Sequence, residues 1–325
     1  MEETFFQQRT DLTKLNEAVT AIRDAIGKVI IGQHKMVDLL IAGLLTDGHI
    51  LIEGVPGVAK TLTAKLMAKI IDVDFSRLQF TPDLMPSDVL GTSVFNPRDA
   101  NFQFKAGPIF SNIVLIDEIN RAPAKTQAAL FEVMEERQVT IDGHTYAMRS
   151  PFLVLATQNP IEQEGTYRLP EAQLDRFLFK IDVGYPSLQD EVTILEKQHH
   201  ISQRDLLQDV PKILSAADIE TYRKTIMQIV VESKLLEFIA KIVNETRNNP
   251  ALYLGASPRA SLNILKAAKS MAAMHGRDFV TPEDIIEVAP HVLRHRIILS
   301  PEKEMEGITA DELIEKIIKS IEVPR

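Results

Sequence analysis

Apolar residues follow two different patterns along the chain, and the change of pattern predicts two kinds of element. In the first 28 residues they recur every three or four positions, which predicts an amphipathic helix, and a second helix is expected to end at Leu45. Further along, apolar residues instead occur in short unbroken runs, which predict buried β-strands. Such runs predict strands at residues 50–52, 113–116 and 152–156, and strands are also predicted at residues 74–80 and 179–183, where polar residues lie among the apolar ones.

Strands separated by helical stretches predict an α/β fold in which a central parallel sheet is flanked by helices. After Pro186 the apolar β-runs stop. The remaining segments carry helix start signals, among them Ser257 before Pro258 and a capping box formed by Thr309 and Glu312. The sequence therefore predicts two domains. An αβα domain is expected over residues 1–190, and a linker with an all-helical domain over residues 191–325.

Residues 50–64, ILIEGVPGVAKTLTA, have the strand–loop–helix order of a phosphate-binding loop. Gly54 and Gly57 allow backbone N–H groups to turn toward an anion, and the N-terminus of the following helix favours negative charge. Lys60 is expected to reach the β- and γ-phosphates of a nucleotide, and the Thr61 hydroxyl to contact Mg²⁺. The predicted loop comprises Gly54, Val55, Pro56, Gly57, Val58, Ala59, Lys60, Thr61 and Leu62.

Ala59 stands where the motif G-x-x-x-x-G-K-[ST] has its second glycine. A methyl group is a small change, and it is tolerable where the backbone is helical. A plain strand-to-helix turn that happens to contain a lysine is the alternative, which the full spacing makes the weaker interpretation. The loop therefore predicts nucleotide binding more strongly than hydrolysis.

Two adjacent carboxylates, Asp117 and Glu118, directly follow the apolar run at residues 113–116. Ligands of open parallel sheets bind at the carboxyl ends of the strands. Asp117 is therefore expected to hold Mg²⁺ through its water shell, and Glu118 to orient or polarise an attacking water. The run at 152–156 leads to Asn159, whose amide could bond a γ-phosphate or the water, although a turn-forming Asn before proline is favoured when Asn159 is considered alone.

Two segments interrupt this α/β pattern. Residues 81–108 contain four prolines and no regular period, and an insertion of this length inside an α/β core is more often functional than idle. Asp142 and Gly143 lie between alternating runs, which predicts a β-hairpin over about residues 138–148.

Composition narrows the classes of function. The net charge of −9 disfavours a general polyanion-binding surface, and a chain without Trp and with only 6% aromatic residues offers no obvious stacking platform for single-stranded nucleic acid. No apolar run approaches membrane-spanning length and no signal core opens the chain, so we expect no membrane insertion and a cytoplasmic location. Zero cysteines exclude disulfides and cysteine-ligated metals.

From about residue 29 to residue 296, the chain resembles the MoxR family of AAA+ ATPases. The most specific segments are GVPGVAKT (54–61), FTPDLMPSDVLGT (80–92), DEINRAPAKTQAALFEVMEERQVTIDG (117–143), ATQNPIEQEGTYRLPEAQLDRF (156–177) and GASPRA (255–260). Alanine at the second glycine position is usual in that family. The resemblance implies an AAA+ P-loop core with a C-terminal helical lid, and it implies ATP and Mg²⁺ as cofactors.

The resemblance also implies roles for particular residues. Lys60 and Thr61 match the Walker A motif, whereas Asp117 and Glu118 match Walker B. The insertion at about residues 84–108 resembles the helix-2 insert of a subgroup of AAA+ proteins, and the predicted hairpin resembles its pre-sensor-1 hairpin. In such machines both features face the ring pore or a client.

Further positions match residues that surround the nucleotide in the family. Asn159 is similar to sensor 1. Arg176 is similar to an arginine finger that acts in trans on a neighbour's γ-phosphate, and Arg259 is similar to sensor 2, serving its own or the next subunit. For Ile30 and Ile31 the residues alone favour a plain core patch, whereas the resemblance implies part of an adenine pocket.

The resemblance implies a homo-oligomeric ring, a hexamer, that remodels protein clients, with von Willebrand factor A domain proteins as the expected class. Two alternatives stay open. A DNA-acting AAA+ motor would call for a basic pore hairpin, but the hairpin here offers Asp142, His144 and, further on, Arg149, which is not a basic stripe. A nucleotide-gated scaffold without turnover ranks last because every catalytic position holds a competent residue.

Overall fold

The computed structural model describes residues 10–55, 57–98, 100–159, 166–200 and 210–324. Pro56 of the predicted phosphate loop lies outside these ranges. The chain forms two compact units, Ala21–Glu220 and a second unit made of the residues up to Thr20 together with those from Thr221 onward. The domain boundary expected at residue 190 was based on where the apolar runs stop, and it stays a prediction.

A five-stranded parallel sheet forms the centre of the first unit, with the spatial order β2-β5-β8-β1-β9. The strands are β1 (His49–Gly54), β2 (Phe75–Gln79), β5 (Ile113–Asp117), β8 (Leu153–Gln158) and β9 (Phe177–Val183). Nearly all residues of β1, β5 and β8 are buried, as expected for strands covered on both faces. The expected parallel α/β core is confirmed.

Helices lie before, between and after these strands: α2 (His34–Leu45), α3 (Lys60–Ile71), α4 (Pro86–Leu90), α5 (Ala124–Glu136), α6 (Glu171–Leu174) and α7 (Leu188–His200). Preceding them, α1 (Thr13–Gly27) begins only at Thr13, so the helix predicted for residues 1–28 is shorter in the described part of the chain. Its apolar positions Leu12, Leu15, Val19, Ile22 and Ile26 are all buried. The helical period therefore identified the inward face of α1.

The long insertion is folded rather than irregular. It contains α4 and an antiparallel hairpin of β3 (Gly91–Asn96) and β4 (Asn101–Ala106). A second hairpin, β6 (Gln138–Ile141) with β7 (His144–Ala147), turns at Asp142 and Gly143 as the sequence predicts. The two hairpins meet where the ring of Phe104 stacks on Tyr146 with a centroid distance of 4.3 Å.

The second unit contains helices α9 (Ser233–Asn248), α10 (Pro258–Met274), α11 (Pro282–Leu293), α12 (Pro301–Met305) and α13 (Ala310–Ser320), while α8 (Ala216–Met227) crosses the division. Thr309 and Glu312 form the predicted capping box at α13. One short antiparallel pair, β10 (Leu252–Leu254) with β11 (Ile298–Leu299), lies among these helices, so this helical unit also contains a small ribbon that the sequence pattern missed. Across the described ranges, no helix combines the length and apolarity needed to cross a membrane.

Candidate functional site

The N-terminus of α3 faces the end of β1 across the predicted phosphate loop. The first bond inside this helix runs from the Thr63 N–H to the Ala59 carbonyl at 2.9 Å. The N–H groups of Lys60, Thr61 and Leu62 therefore have no acceptor within the helix, and they form the kind of helix end that binds anions. Val58 is buried beside them, which ties the loop to the core.

The two glycines of the loop are needed for different reasons. Gly54 ends β1, and a Cβ atom built there would lie 2.6 Å from the carbonyl oxygen of Val183 on β9. Its role in the structure is thus close strand packing. Gly57 has φ of +90°, a backbone conformation that favours glycine, and a Cβ there would meet no atom within 4 Å.

Ala59 adopts a left-handed helical conformation, with φ of 58° and ψ of 19°. The sequence interpretation required helical backbone angles here, and the backbone is helical but of the opposite hand. For a residue with a Cβ this conformation costs about 1–2 kcal/mol. The second glycine of the common motif would avoid that cost, so the loop stores strain at the helix N-terminus.

Lys60 lies within the field of three carboxylates. Its Nζ donates to the Gly54 carbonyl at 2.7 Å, which folds the side chain back over the loop. Burial lowers the pKa of Lys60, and the negative charges of Asp117, Glu118 and Glu53 oppose that shift. The structure thus brings together the lysine and both acids that the sequence predicted, although they lie some sixty residues apart.

Asp117 is the last residue of β5 and is buried. One carboxylate oxygen accepts a hydrogen bond from the Thr157 hydroxyl at 3.2 Å, and the other lies 2.6 Å from Nε of Arg77 on β2. Carboxylate and hydroxyl oxygens are ligands that Mg²⁺ prefers. Strand β5 ends, and helix α3 begins, at the same edge of the sheet. Asp117 and Thr61 therefore fit a magnesium site that substrate phosphates and water would complete.

Glu118 follows the end of β5 in a left-handed conformation, with φ of 56° and ψ of 54°. Its N–H donates to the Thr157 hydroxyl at 3.1 Å. Its carboxylate accepts a hydrogen bond from the Gln79 amide at 2.8 Å and lies 3.0 Å from Nε of Arg121. Non-glycine residues with positive φ are held by their surroundings and are common at active sites.

Asn159 follows directly after β8, which lies between β5 and β1. It is therefore at the same edge of the sheet as Asp117.

Ile30 is buried and Ile31 is partly exposed in the segment between α1 and α2. Gln33 of that segment lies 3.4 Å from the carbonyl oxygen that follows β9, so Ile30 and Ile31 lie near the strand that pairs with Gly54.

Arg176 lies at the opposite end of the sheet. It directly precedes Phe177, which is level with His49 at the start of β1, whereas Gly54 at the end of β1 pairs with Val183. Five residues of strand separate these two levels by about 16 Å. That distance exceeds the reach of an arginine side chain, so Arg176 does not reach the phosphate loop of its own chain.

Arg259 lies in the first turn of α10, exposed, in the second unit. Its predicted contact with phosphate stays a prediction.

Four residues near the acids were missed by the sequence reasoning: Arg77, Gln79, Arg121 and Thr157. Three of them had a detectable signal, because Gln79 and Thr157 lie within one residue of the ends of predicted strands and Arg121 follows the acids closely. Arg77 had none, since a mid-strand arginine is usually a surface residue.

A model of the ATPase family associated with various cellular activities (AAA) matches residues 49–179, and an AAA lid domain model matches residues 244–317. Together with the sheet order and the loop geometry, these matches define an AAA+ ATPase core followed by its lid.

Relatives that match most of this chain identify the family within that class. Chaperone MoxR1 of Mycobacterium tuberculosis is 44% identical over 92% of this chain and 81% of its own length. An uncharacterized protein, YeaC, of Bacillus subtilis is 46% identical over 92% of both chains. A crystal structure from Cytophaga hutchinsonii, described as a candidate ATPase, is 44% identical with a TM-score of 0.88, covering 96% of this chain and 97% of its own. The chain belongs to the MoxR family of AAA+ ATPases.

Proposed function

We propose that this chain is a Mg²⁺-dependent ATPase that works as a homo-oligomeric ring, a hexamer, in the cytoplasm, and remodels protein partners. One observation carries the proposal. Lys60, Asp117 and Glu118 converge at the carboxyl edge of the sheet, while Arg176 lies at the opposite end. A site completed by Arg176 therefore needs a second chain.

Within one subunit, the N–H groups at the start of α3 and the ammonium of Lys60 bind the phosphates of ATP. Thr61 and Asp117 hold the magnesium ion, which neutralises charge on the β- and γ-phosphates when bound. The Glu118 carboxylate orients the attacking water and accepts its proton, and Asn159 bonds the same water or the γ-phosphate. Ile30 and Ile31 wall the adenine, since nucleotide pockets are largely apolar.

The contacts of Glu118 support its role as the base. Gln79 and Arg121 hold its carboxylate, and the Thr157 hydroxyl holds its N–H in a backbone conformation that is costly by itself. A group held in this way needs little reorganisation at the moment of reaction, which is the advantage of a preorganised site.

The neighbouring subunit supplies Arg176 as an arginine finger, and Arg259 on the lid contacts phosphate. ATP binding closes the lid, and hydrolysis at the interface moves the β3–β4 and β6–β7 hairpins. The name of the M. tuberculosis relative supports a chaperone-like role. The client class, proteins with von Willebrand factor A domains, comes from the family resemblance. We place the protein in the cytoplasm because the proposed activity needs ATP, which the cytoplasm supplies.

The variant Glu118→Gln tests the chemistry. We expect it to bind ATP with unchanged affinity, because Glu118 does not hold phosphate, and to lose about 10²- to 10⁴-fold in kcat because the general base is lost. Equilibrium binding of a fluorescent ATP analogue and steady-state phosphate release measure the two quantities. Glu136→Gln, an exposed acid on α5, is the matched control with wild-type values. Turnover of Glu118→Gln at the wild-type rate would contradict the role of Glu118.

The same variant tests the client class, because an ATP-loaded ring that does not turn over retains its clients. Capture from native extract with Glu118→Gln plus ATP should enrich proteins that carry von Willebrand factor A domains, compared with capture without nucleotide. Stimulation of the wild-type ATPase by single- or double-stranded DNA would instead favour a DNA-acting motor.

A further inference from the structure

Arg176 is held by two side chains of the last turns of α5. Its Nε lies 2.9 Å from Oε2 of Glu135, and its guanidinium carbon lies 5.9 Å from the centre of the Phe131 ring. Phe131 in turn packs edge-to-face on Phe177, the residue after Arg176, with a centroid distance of 5.7 Å. The aromatic ring packs against the guanidinium and the carboxylate binds its Nε, so both contacts fix the charged end of the side chain.

The end of α5 that carries Glu135 is firmly attached to the sheet. The carbonyl oxygen of Met134 lies 3.0 Å from Nε2 of the buried His49, whose Nδ1 accepts a hydrogen bond from the Val154 N–H at 3.0 Å. Arg137, directly after α5, donates to the carbonyl oxygens of Phe152 and Asp47. Glu135 therefore projects from a rigid support, which a positioning group requires.

We infer that Glu135 is a positioning residue that aims the Arg176 guanidinium at the nucleotide of the neighbouring subunit. The inference rests on the proposed function of Arg176 in trans. Glu135 itself acts only through Arg176, because it lies at the amino end of the sheet, far from the phosphate loop of its own chain.

The donors of a guanidinium make the two contacts compatible. Arginine carries five N–H donors, and a carboxylate takes at most two of them in a forked pair, so donors remain for a phosphate. Arginine also carries about 2 kcal/mol of rotamer entropy. Glu135 and Phe131 remove that freedom before the subunits meet, so the phosphate contact forms with less entropy loss.

The pair adds little to the stability of the fold. The side chains of Arg176 and Glu135 are 28% and 37% exposed, and ion pairs at such positions contribute at most about 1 kcal/mol. The substitution Glu135→Gln should therefore leave folding intact, so a loss of activity reports positioning.

Mixed rings separate the two chains that meet at one site. Subunits with Arg176→Ala keep an intact nucleotide site but supply no finger, whereas subunits with Glu118→Gln supply a finger but cannot hydrolyse ATP. Active sites in the mixture therefore combine the site of the first chain with the finger of the second. The decisive mixture pairs Arg176→Ala with the double variant Glu118→Gln/Glu135→Gln, and its matched control uses Glu118→Gln/Glu136→Gln.

We expect activity in the mixture with Glu118→Gln, the same activity with the Glu136→Gln control, and about tenfold lower kcat with Glu135→Gln, since a misaimed group costs up to about 10²-fold. KM for ATP should not change, because the phosphate loops at the working sites are unaltered. A merely structural role would alter assembly, which sedimentation measures, or KM.

Equal kcat with and without Glu135→Gln would overturn the inference while leaving Arg176 as the finger. A higher kcat would also overturn it, because Glu135 would then restrain the arginine. A mixture of Arg176→Ala and Glu118→Gln that stays inactive would overturn the proposed function and the inference with it. Should the Gln variant fail to fold, Glu135→Asp serves instead: it keeps the charge on a shorter arm, and kcat equal to the control would overturn the inference.

Discussion

The two ends of the parallel sheet differ in how their polar groups are satisfied. At the carboxyl edge, Lys60 lies in the field of three carboxylates, and the backbone at Ala59 and Glu118 adopts a left-handed conformation. At the amino end, His49 bridges Met134 and Val154 with two hydrogen bonds, and Arg137 donates to two backbone carbonyls. The first end concentrates charged groups around the phosphate loop. At the second end side chains satisfy backbone groups, although Asp47 and Arg137 there are left-handed too, with φ of 56° and 54°.

This difference fits two roles: the carboxyl edge binds the nucleotide, and the amino end holds a side chain in place for a neighbouring subunit. Concentrated charge at the carboxyl edge suits a site that must respond to a phosphate and a metal ion. Satisfied hydrogen bonds at the amino end suit a support that must hold a side chain still. A change in the charged groups of the first end should therefore alter chemistry, and a change at the second should alter stability or only the neighbouring site.

The largest effect is expected from Arg176→Ala, which removes a group at the amino end yet should abolish chemistry. Loss of an arginine finger costs about 10³- to 10⁵-fold in kcat. ATP affinity should be retained because Arg176 lies about 16 Å along the sheet from its own phosphate loop. Phosphate release measures kcat, and equilibrium nucleotide binding measures the affinity for ATP. Loss of binding equal to the loss of turnover would mean that Arg176 acts within its own chain.

An intermediate effect is expected from His49→Leu, which leaves the Met134 carbonyl and the Val154 N–H buried without this partner. Each unsatisfied group costs about 1–3 kcal/mol, so the free energy of unfolding should fall by about 2–5 kcal/mol. His49→Gln, which can keep the bond to Met134, should lose about half as much. Urea unfolding measures both, and a cost below about 1 kcal/mol for His49→Leu would show that the network is not rigid.

The smallest effect is expected from Ala59→Gly at the carboxyl edge. Relief of the left-handed conformation, less the entropy that glycine adds to the unfolded chain, should raise the free energy of unfolding by about 0.5–1 kcal/mol. Ala128→Gly on the exposed face of α5 is the control, and it should lower that free energy by about 1 kcal/mol. Equal losses in both variants would rule out strain at Ala59.

Local patterns predicted the fold and the carboxyl edge of the site. Glycine spacing before Lys60 and the apolar run before Asp117 depend on neighbours in sequence, and both are visible without a structure. The apolar runs also predicted the strands closely. The errors are at the ends of the strands: β1 and β8 continue two residues past the predicted segments, and β9 begins two residues earlier, at Phe177.

Contacts between distant segments could not be predicted in this way. Glu135 and Arg176 are forty-one positions apart, and nothing in their sequence neighbourhoods marks them as partners. Gln79 is equally remote from Glu118. The left-handed backbone conformation of Ala59 could not be predicted either, because alanine gives no sign of it, whereas a glycine there would have suggested it.

The measurement closest to the central claim is the ATPase activity of a mixture of Arg176→Ala and Glu118→Gln subunits, compared with each variant alone at the same total concentration. Because the arginine at the amino end of one chain is expected to complete the site at the carboxyl edge of another, the account predicts that the mixture hydrolyses ATP although neither variant does. Activity of the mixture equal to the average of the separate variants, under conditions where sedimentation shows mixed rings, would contradict it.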